Sequence, residues 1–185
     1  TLKPRLLEMI AGEAAHAAAD RPARIILKLN ALTEPNVIRA LYQASIAGVQ
    51  VDLIVRGICS LRPGIEGVSE NIRVRSIIGR FLEHSRVYWF ANDGEPLLYL
   101  SSADLMERNL DRRVETAFPI EGKRMQQRIT QVLELCLADN VGASLLQADG
   151  EYLHPLPVAG EPIHDMQAEL LQKSCGTGAG NGNGH

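Results

Sequence analysis

Residues 24–56 contain the pattern that most restricts the fold: a strand, a helix and a second strand in close succession. Residues 24–30 (RIILKLN) and 49–56 (VQVDLIVR) are short, apolar and rich in β-branched side chains, which predicts two buried strands. Residues 35–47 have apolar positions at helical spacing and are followed by Gly48, a common helix stop. Such a unit pairs its strands in parallel through a right-handed crossover, so we expect an α/β fold.

The other segments predict that this βαβ unit opens a mixed α/β domain. We expect a mixed, mostly parallel sheet flanked by helices, and an Asn-Asp-Gly sequence at 92–94 indicates a hairpin turn between two of the strands. Helices are predicted over residues 2–19, 124–137 and 164–173, strands over 72–78, 85–91, 97–102 and 114–120, and a short hairpin over 144–158. We expect one domain over residues 1–175 and a disordered Gly/Asn-rich tail over 176–185.

Composition excludes several classes of protein. No apolar run approaches the ~18 residues that a membrane helix needs, and a net charge of −3 argues against a uniformly basic nucleic-acid-binding surface. The three cysteines are far apart and lack metal-ligand spacing, which predicts free thiols in a reducing compartment. Thr1 stands where an initiator Met would be, and no signal peptide follows it. We therefore expect a piece of a longer cytoplasmic protein, and leave open its association with a membrane surface.

The basic residues indicate an anionic ligand. Of the 19 basic residues 15 are Arg, and nine of these lie between positions 56 and 113, a stretch without Lys. Arg binds phosphate through a planar, bidentate fork, whereas Lys is a point charge. Arg56 ends the second predicted strand, where open α/β sheets bind ligands.

Residues 79–115 carry more polar groups than a core would accept. His84 and Arg86 alternate along a predicted strand and would share one face, where a histidine can exchange a proton beside a bound anion. A lone histidine at a strand start is more often a hydrogen-bonded structural residue, and Arg73 and Arg75 would most simply form the solvent face of an edge strand. The residues alone predict a phosphate-binding α/β domain.

Three runs of sequence carry a specific family resemblance. VRGICSLRPG at 55–64, GRFLEHSR at 79–86 and SSADLMERNLDRRVETAFPI at 101–120 resemble the C-terminal catalytic domain of bacterial polyphosphate kinase. The likeness covers about residues 2–156. That domain is the second half-site of a phospholipase-D-like active site, so the resemblance implies a phospholipase-D-like fold.

The chain departs from the general phospholipase D pattern, in which H-x-K is followed by an Asp and by G-S-x-N. Arg86 replaces the Lys, Ala91 stands where the Asp would be, and Asp104 replaces the Asn. The polyphosphate kinase branch shares these departures. Within that branch Ser101 stands where Gly is usual and Leu105 where Trp is common, which we expect to change local packing or rate.

The resemblance implies the following roles. Polyphosphate kinase reversibly moves the terminal phosphoryl group of ATP onto polyphosphate through a phosphohistidine, with Mg²⁺. His84 matches the second active-site histidine, and both His84 and Arg56 match positions that contact ATP. The phosphorylated histidine and the Mg²⁺ ligands are expected in upstream domains, so no residue here is predicted as a metal ligand and the chain alone is expected to be inactive. Further candidates for lining the polyphosphate path are Arg62, Arg86, Arg112 and Arg113.

The resemblance also implies partners: ATP or ADP, inorganic polyphosphate, the upstream domains and further copies of the enzyme in a homo-oligomer. It implies neither nucleic acid nor a membrane span.

Two alternatives stay open. One is a phospholipase-D-like phosphodiesterase that is completed by dimerisation. The other is a non-catalytic module that holds polyphosphate or partner subunits. Whichever function holds, the acidic residues near Arg112 and Arg113 also allow these two arginines to form a solvated salt-bridge cluster.

Overall fold

The described residues of the computed structural model are 2–155, 157 and 160–176, without the side chains of Cys175 and Gly176. Within them, eight strands form one sheet: β1 (Arg24–Leu29), β2 (Gln50–Val55), β3 (Ile72–Ile77), β4 (Arg86–Phe90), β5 (Leu97–Ser101), β6 (Ala117–Pro119), β7 (Ala143–Leu146) and β8 (Tyr152–Leu153). The α-helices are α1 (Leu2–Ala18), α2 (Pro35–Ile46), α3 (Glu107–Arg112), α4 (Lys123–Ala138) and α5 (Met166–Gly176). No helix in this part of the chain is long and apolar enough to cross a bilayer.

The sheet is mixed, in the order β6-β5-β4-β1-β2-β3-β7-β8. Strands β1, β2 and β3 are parallel, so the predicted βαβ unit and the mixed α/β class are confirmed. The expected parallel majority is wrong, because the other five strand pairs are antiparallel. Short turns join β4 to β5 and β7 to β8, and a short turn can only connect antiparallel neighbours.

Helices cover both faces of the sheet. Side chains alternate along β1, so Ile25 and Leu27 face one core and Ile26 faces the other. The first core packs against α1 and α2, and the second packs against α4 and α5. Helix α2 begins where the Glu34 carboxylate accepts a hydrogen bond from the Val37 amide (2.7 Å). The parallel strands β1, β2 and β3 are therefore packed between two layers of helices, and their carboxyl ends lie at one edge of the sheet.

Some predicted elements differ from the structure. The strand expected over residues 114–120 shrinks to β6, and α3 was not predicted because its sequence ERNLDR has only one apolar residue. Strand β3 pairs on both sides, so the edge strand expected for Arg73 and Arg75 is wrong. Of the predicted tail, only Gly176, the last residue of α5, lies within the described residues. Cys59 and Cys136 are free thiols, as predicted.

Candidate functional site

The carboxyl ends of β1 and β2 meet the amino end of β4 at one edge of the sheet. Asn30 follows β1 and Arg56 follows β2. Because β4 runs antiparallel to β1, its first residue, Arg86, lies at this same edge. Residues 78–85, called the His84 loop below, connect β3 to β4 and place His84 beside both arginines. Arg56, His84 and Arg86 form the arginine–histidine cluster.

Arg56 is held by neutral groups. Its Nε donates to Asn30 Oδ1 (2.8 Å) and its Nη1 donates to the Glu83 carbonyl (3.1 Å). Its Nη2 lies 3.4 Å from His84 Nδ1. No carboxylate among the described residues forms an ion pair with Arg56. Its positive charge is therefore oriented but not neutralised, as an anion-binding arginine requires.

His84 lies between two guanidinium groups. Its Nε2 is 3.2 Å from Arg86 Nη2, on the opposite side of the ring from Arg56. His84 precedes β4, so the predicted shared strand face is wrong, although the predicted proximity to Arg86 holds. Arginine only donates hydrogen bonds, and a neutral imidazole has one acceptor nitrogen. The ring can therefore accept from one arginine only, which leaves N–H groups of the other arginine for an anionic ligand.

Asp104 fixes the position of Arg86. Its Oδ2 accepts from Arg86 Nη2 (2.7 Å), and its Oδ1 accepts from the amides of Asn30 (2.7 Å) and Ala31 (3.1 Å). Burial alone raises the pKa of the Asp104 carboxyl, but these hydrogen bonds outweigh burial, so the pKa lies below its ordinary value. The carboxylate and the guanidinium form a bonded pair. The two departures at positions 86 and 104 are thus complementary to each other.

A buried lysine lies beneath the His84 loop. Lys28, in β1, donates to Ser85 Oγ (3.0 Å) and lies 3.5 Å from the Glu83 carboxylate. A small cavity under Arg56 is lined by Lys28, Glu83 and Met166, among others. Sequence reasoning missed the roles of Lys28, Asn30 and Glu83. The sequence did contain one signal. The predicted apolar strand over residues 24–30 ends in KLN, so two of its last three residues, Lys28 and Asn30, are polar.

Beyond the strand ends, backbone hydrogen bonds join the segments that follow β1, β2 and β5 into what we call the backbone rim. The Leu32 amide donates to Ile58 O (2.8 Å), and the Leu105 amide donates to Ala31 O (3.0 Å). Gly57 approaches this rim closely: a Cβ on it would lie 2.9 Å from Asn30 O, which a side chain cannot tolerate. The glycine of the VRG sequence is therefore required for space, and it keeps Arg56 next to Asn30.

The other predicted arginines have other partners. Arg62 donates from Nε to the carbonyl of Ala148 (2.9 Å), and Arg112 pairs with Glu107 (2.7 Å) on an exposed surface. Arg113 lies near Glu115, whose pKa is lowered by a hydrogen bond from Ser102 and, more weakly, by Arg113. No hydrogen bond of the described residues joins Arg62 or Arg112 to the arginine–histidine cluster. The polyphosphate-lining role of these three arginines stays a prediction.

The site does not offer a ligand set for a metal ion. No group of three or more His, Cys, Asp or Glu that could hold a metal occurs in the described part of the chain. Two carboxylates of the site already have cationic partners, Asp104 in Arg86 and Glu83 in Lys28. Mg²⁺ prefers carboxylate and phosphate oxygens. Because these two carboxylates are already paired with cationic side chains, they do not fit Mg²⁺ as protein ligands.

The fold places the chain in a structural class. The crystal structure of a phospholipase D family member, Nuc from Salmonella typhimurium, matches with a TM-score of 0.51 and 14% identity. The match covers 72% of this chain and 88% of that one. The chain therefore has a phospholipase-D-like α/β fold, with a histidine and two arginines at the carboxyl edge of its parallel strands.

The family follows from closer matches. Residues 1–167 match the family described as polyphosphate kinase C-terminal domain 2. Polyphosphate kinase from Pseudomonas aeruginosa is 62% identical over 173 residues, 94% of this chain and 25% of that protein. The crystal structure of polyphosphate kinase from Porphyromonas gingivalis matches with a TM-score of 0.89 and 36% identity, over 95% of this chain and 27% of that one. The chain belongs to the polyphosphate kinase C-terminal domain 2 family, which confirms the predicted resemblance, and it spans about a quarter of the length of its curated relatives.

Proposed function

We propose that this chain supplies the nucleotide-binding and polyphosphate-binding half of a polyphosphate kinase active site. The enzyme would reversibly transfer the terminal phosphoryl group of ATP to polyphosphate through a phosphohistidine. The observation that carries the proposal is Arg56, a guanidinium at a strand end that has only neutral partners and lies beside His84. Membership of the family supports the same activity.

Phosphoryl transfer depends mainly on positioning and on stabilising charge, so each residue of the cluster has a physical role. Arg56 binds phosphate oxygens of ATP. Arg86, oriented by Asp104, adds the Nη1 N–H that its bonds to Asp104 and to the His84 carbonyl do not use. His84 faces the phosphorylated histidine across the transferring group and acts as an acid or a hydrogen-bond donor.

The phosphorylated histidine would come from the upstream domains of the enzyme. Of the described histidines, only His84 belongs to the cluster, since His16 lies on α1, His154 contacts Ser144, and His164 contacts Glu169. The His84 loop exposes Ile78, Phe81 and Leu82, the last to 77%. Exposed apolar side chains beside a site are typical of a surface that another domain covers, which supports contact with an upstream domain.

Three further parts of the proposal rest on the family resemblance. We propose a cytoplasmic location, either free or membrane-associated, and a homo-oligomeric intact enzyme. Because the carboxylates of this site are already paired, we propose that Mg²⁺ arrives with the nucleotide and takes its protein ligands from the upstream domains. The roles given to Arg56 and His84 do not depend on that ion.

The test is a ³¹P NMR time course in two proteins. The intact enzyme that contains this chain should form polyphosphate and ADP from ATP, its His84→Ala variant should not, and a His154→Ala control should match the wild type. The chain alone, given ATP, Mg²⁺ and polyphosphate, should show broadened phosphate resonances without turnover. Near-normal turnover in His84→Ala would remove His84 from the chemistry.

The same samples distinguish the alternatives. Hydrolysis of a generic phosphodiester by the chain alone, with second-order dependence on protein concentration, would favour a dimeric phosphodiesterase. Polyphosphate binding that is insensitive to His84→Ala, in an intact enzyme without kinase activity, would favour a non-catalytic binding module.

A further inference from the structure

Helix α5 reaches the His84 loop through one buried side chain. Gln167 is 8% exposed, and its amide makes two hydrogen bonds with the backbone of Phe81. The Phe81 amide donates to Gln167 Oε1 (2.9 Å), and Gln167 Nε2 donates to the Phe81 carbonyl (2.8 Å). The side chain thus satisfies both backbone groups of a residue that lies three positions before His84.

Gly79 provides the space for this contact. A Cβ at position 79 would lie 2.5 Å from Gln167 Oε1 and 2.8 Å from its Cδ, which is closer than real side chains approach. Gly79 is not among the glycines with a positive φ, so its backbone does not itself require glycine. A side chain at position 79 would therefore displace the Gln167 amide, so the glycine of GRFLEHSR leaves the space that this amide occupies.

The base of α5 is anchored to the rest of the fold. The Met166 amide donates to Asp139 Oδ2 (2.8 Å), while Asp139 Oδ1 accepts from the Gly142 amide (2.7 Å) before β7. The Met166 side chain is buried and lines the small cavity under Arg56. Gln167 therefore projects from a fixed support.

The His84 loop has little packing of its own. Phe81, Leu82 and His84 are exposed, so hydrogen bonds hold the loop in place. Lys28 binds the loop after His84, through Ser85, and Gln167 binds it before His84, through Phe81. We propose that Gln167 is a positioning residue for His84 and that Gly79 contributes by leaving room for the Gln167 amide. The catalytic consequence rests on the proposed function, but the structural one does not.

The structural consequence is tested in the chain itself by hydrogen exchange and by ¹H–¹⁵N NMR of the His84 ring. In Gln167→Leu, the Phe81 amide should exchange at least about tenfold faster and the ring resonances should shift. Gln172→Leu, on an exposed part of the same helix, is the matched control and should leave both signals unchanged. Unchanged exchange and ring signals in Gln167→Leu would overturn the proposal.

A double-mutant cycle tests whether Gly79 acts through Gln167. Gly79→Ala should displace the Gln167 amide and reproduce the Gln167→Leu effects on Phe81 and His84. The double variant should then change the His84 signals no more than either single variant does. Additive effects would show that Gly79 and Gln167 act independently, and they would refute the proposal that Gly79 acts through the Gln167 amide.

The catalytic consequence is tested in the intact enzyme. Because Arg56 keeps its bond to Asn30, Gln167→Leu should leave KM for ATP within about twofold and lower kcat for polyphosphate synthesis about tenfold, as expected for a misplaced catalytic group. A wild-type enzyme without polyphosphate synthesis would refute the proposed function. An active wild type with normal kcat in Gln167→Leu would refute the positioning role alone.

Discussion

Arginines occur toward both ends of the paired strands β1 and β2, but their partners differ. Toward the amino ends, Arg24 donates from Nε and Nη2 to the buried Asp52 carboxylate (3.0 and 2.8 Å) and from Nη1 to Glu134 (2.8 Å). Arg73 lies 3.5 Å from the other Asp52 oxygen. At the carboxyl ends, Arg56 has only neutral partners among the described residues. The two ends of the strands therefore differ in whether a carboxylate neutralises the arginine, and this difference separates the structural role of Arg24 from the binding role proposed for Arg56.

Arg86 is intermediate between these two cases. It belongs to the candidate site, yet Asp104 neutralises it, as Asp52 neutralises Arg24. Asp104 is only 4% exposed and also accepts two backbone hydrogen bonds. The comparison therefore predicts that Asp104 supports the fold as well as the site.

The largest expected effect follows from Asp104→Ala. The substitution leaves the mostly buried Arg86 without its carboxylate and two backbone amides without an acceptor, and we expect a loss of about 3 kcal/mol in the free energy of unfolding. Urea denaturation of the chain measures it. The control is Glu107→Ala, which breaks an exposed pair with Arg112 and should cost no more than about 0.5 kcal/mol. Similar losses of unfolding free energy in the two variants would contradict the structural role given to Asp104.

Arg24→Ala should give the next largest effect, at the amino ends of the strands. Asp52 would keep only its longer contact with Arg73, and because Arg24 is about one-third exposed we expect a loss of about 1–2 kcal/mol. Binding of tripolyphosphate, measured by calorimetry, should not change. Weaker binding in this variant would show that the two ends of the strands are not separate in function.

Arg56→Ala should give the reverse pattern. The loss of an unneutralised guanidinium should weaken binding of ADP and of tripolyphosphate about tenfold, since hydrogen bonds to charged groups contribute about 1.5–3 kcal/mol. The free energy of unfolding should fall by less than about 1 kcal/mol, because only bonds to neutral groups are lost. Calorimetry and urea denaturation measure the two quantities in the same protein. Unchanged affinity would exclude Arg56 as a phosphate ligand.

The smallest expected effect is a pH dependence that Asp104 causes. Its pKa is lower in the folded protein than in the unfolded chain, so its ionised form stabilises the fold above the unfolded pKa of about 4. This contribution disappears as the pH falls through the lower folded pKa. The difference in unfolding free energy between the wild type and Asp104→Asn should therefore be constant from about pH 5 to 7 and shrink below about pH 4. A difference that grows in acid would contradict the depressed pKa.

Local sequence patterns predicted those parts of the fold that depend on residues close together in the chain. The βαβ unit follows from apolar runs and Gly48, and Arg56 follows from its place at the end of the second strand. The antiparallel majority was not predictable in this way, because strand partners depend on contacts between distant segments. The same holds for the site: Asp104 binds Asn30 across 74 positions, and Gln167 binds Phe81 across 86. Contacts from a side chain to a distant backbone leave no periodic signal in a sequence.

The backbone rim that joins Leu32 to Ile58 and Leu105 to Ala31 has a consequence for the proposed phosphate binding. Ordering a flexible residue costs roughly 1–2 kcal/mol in conformational entropy. Walls that are already hydrogen-bonded do not incur this cost when a ligand arrives, so more of the interaction energy is expressed as affinity. A hydrogen-bonded rim should also adapt less to an anion of different geometry. This edge of the sheet should therefore discriminate among anions by shape, favouring those whose oxygens match a fixed set of donors.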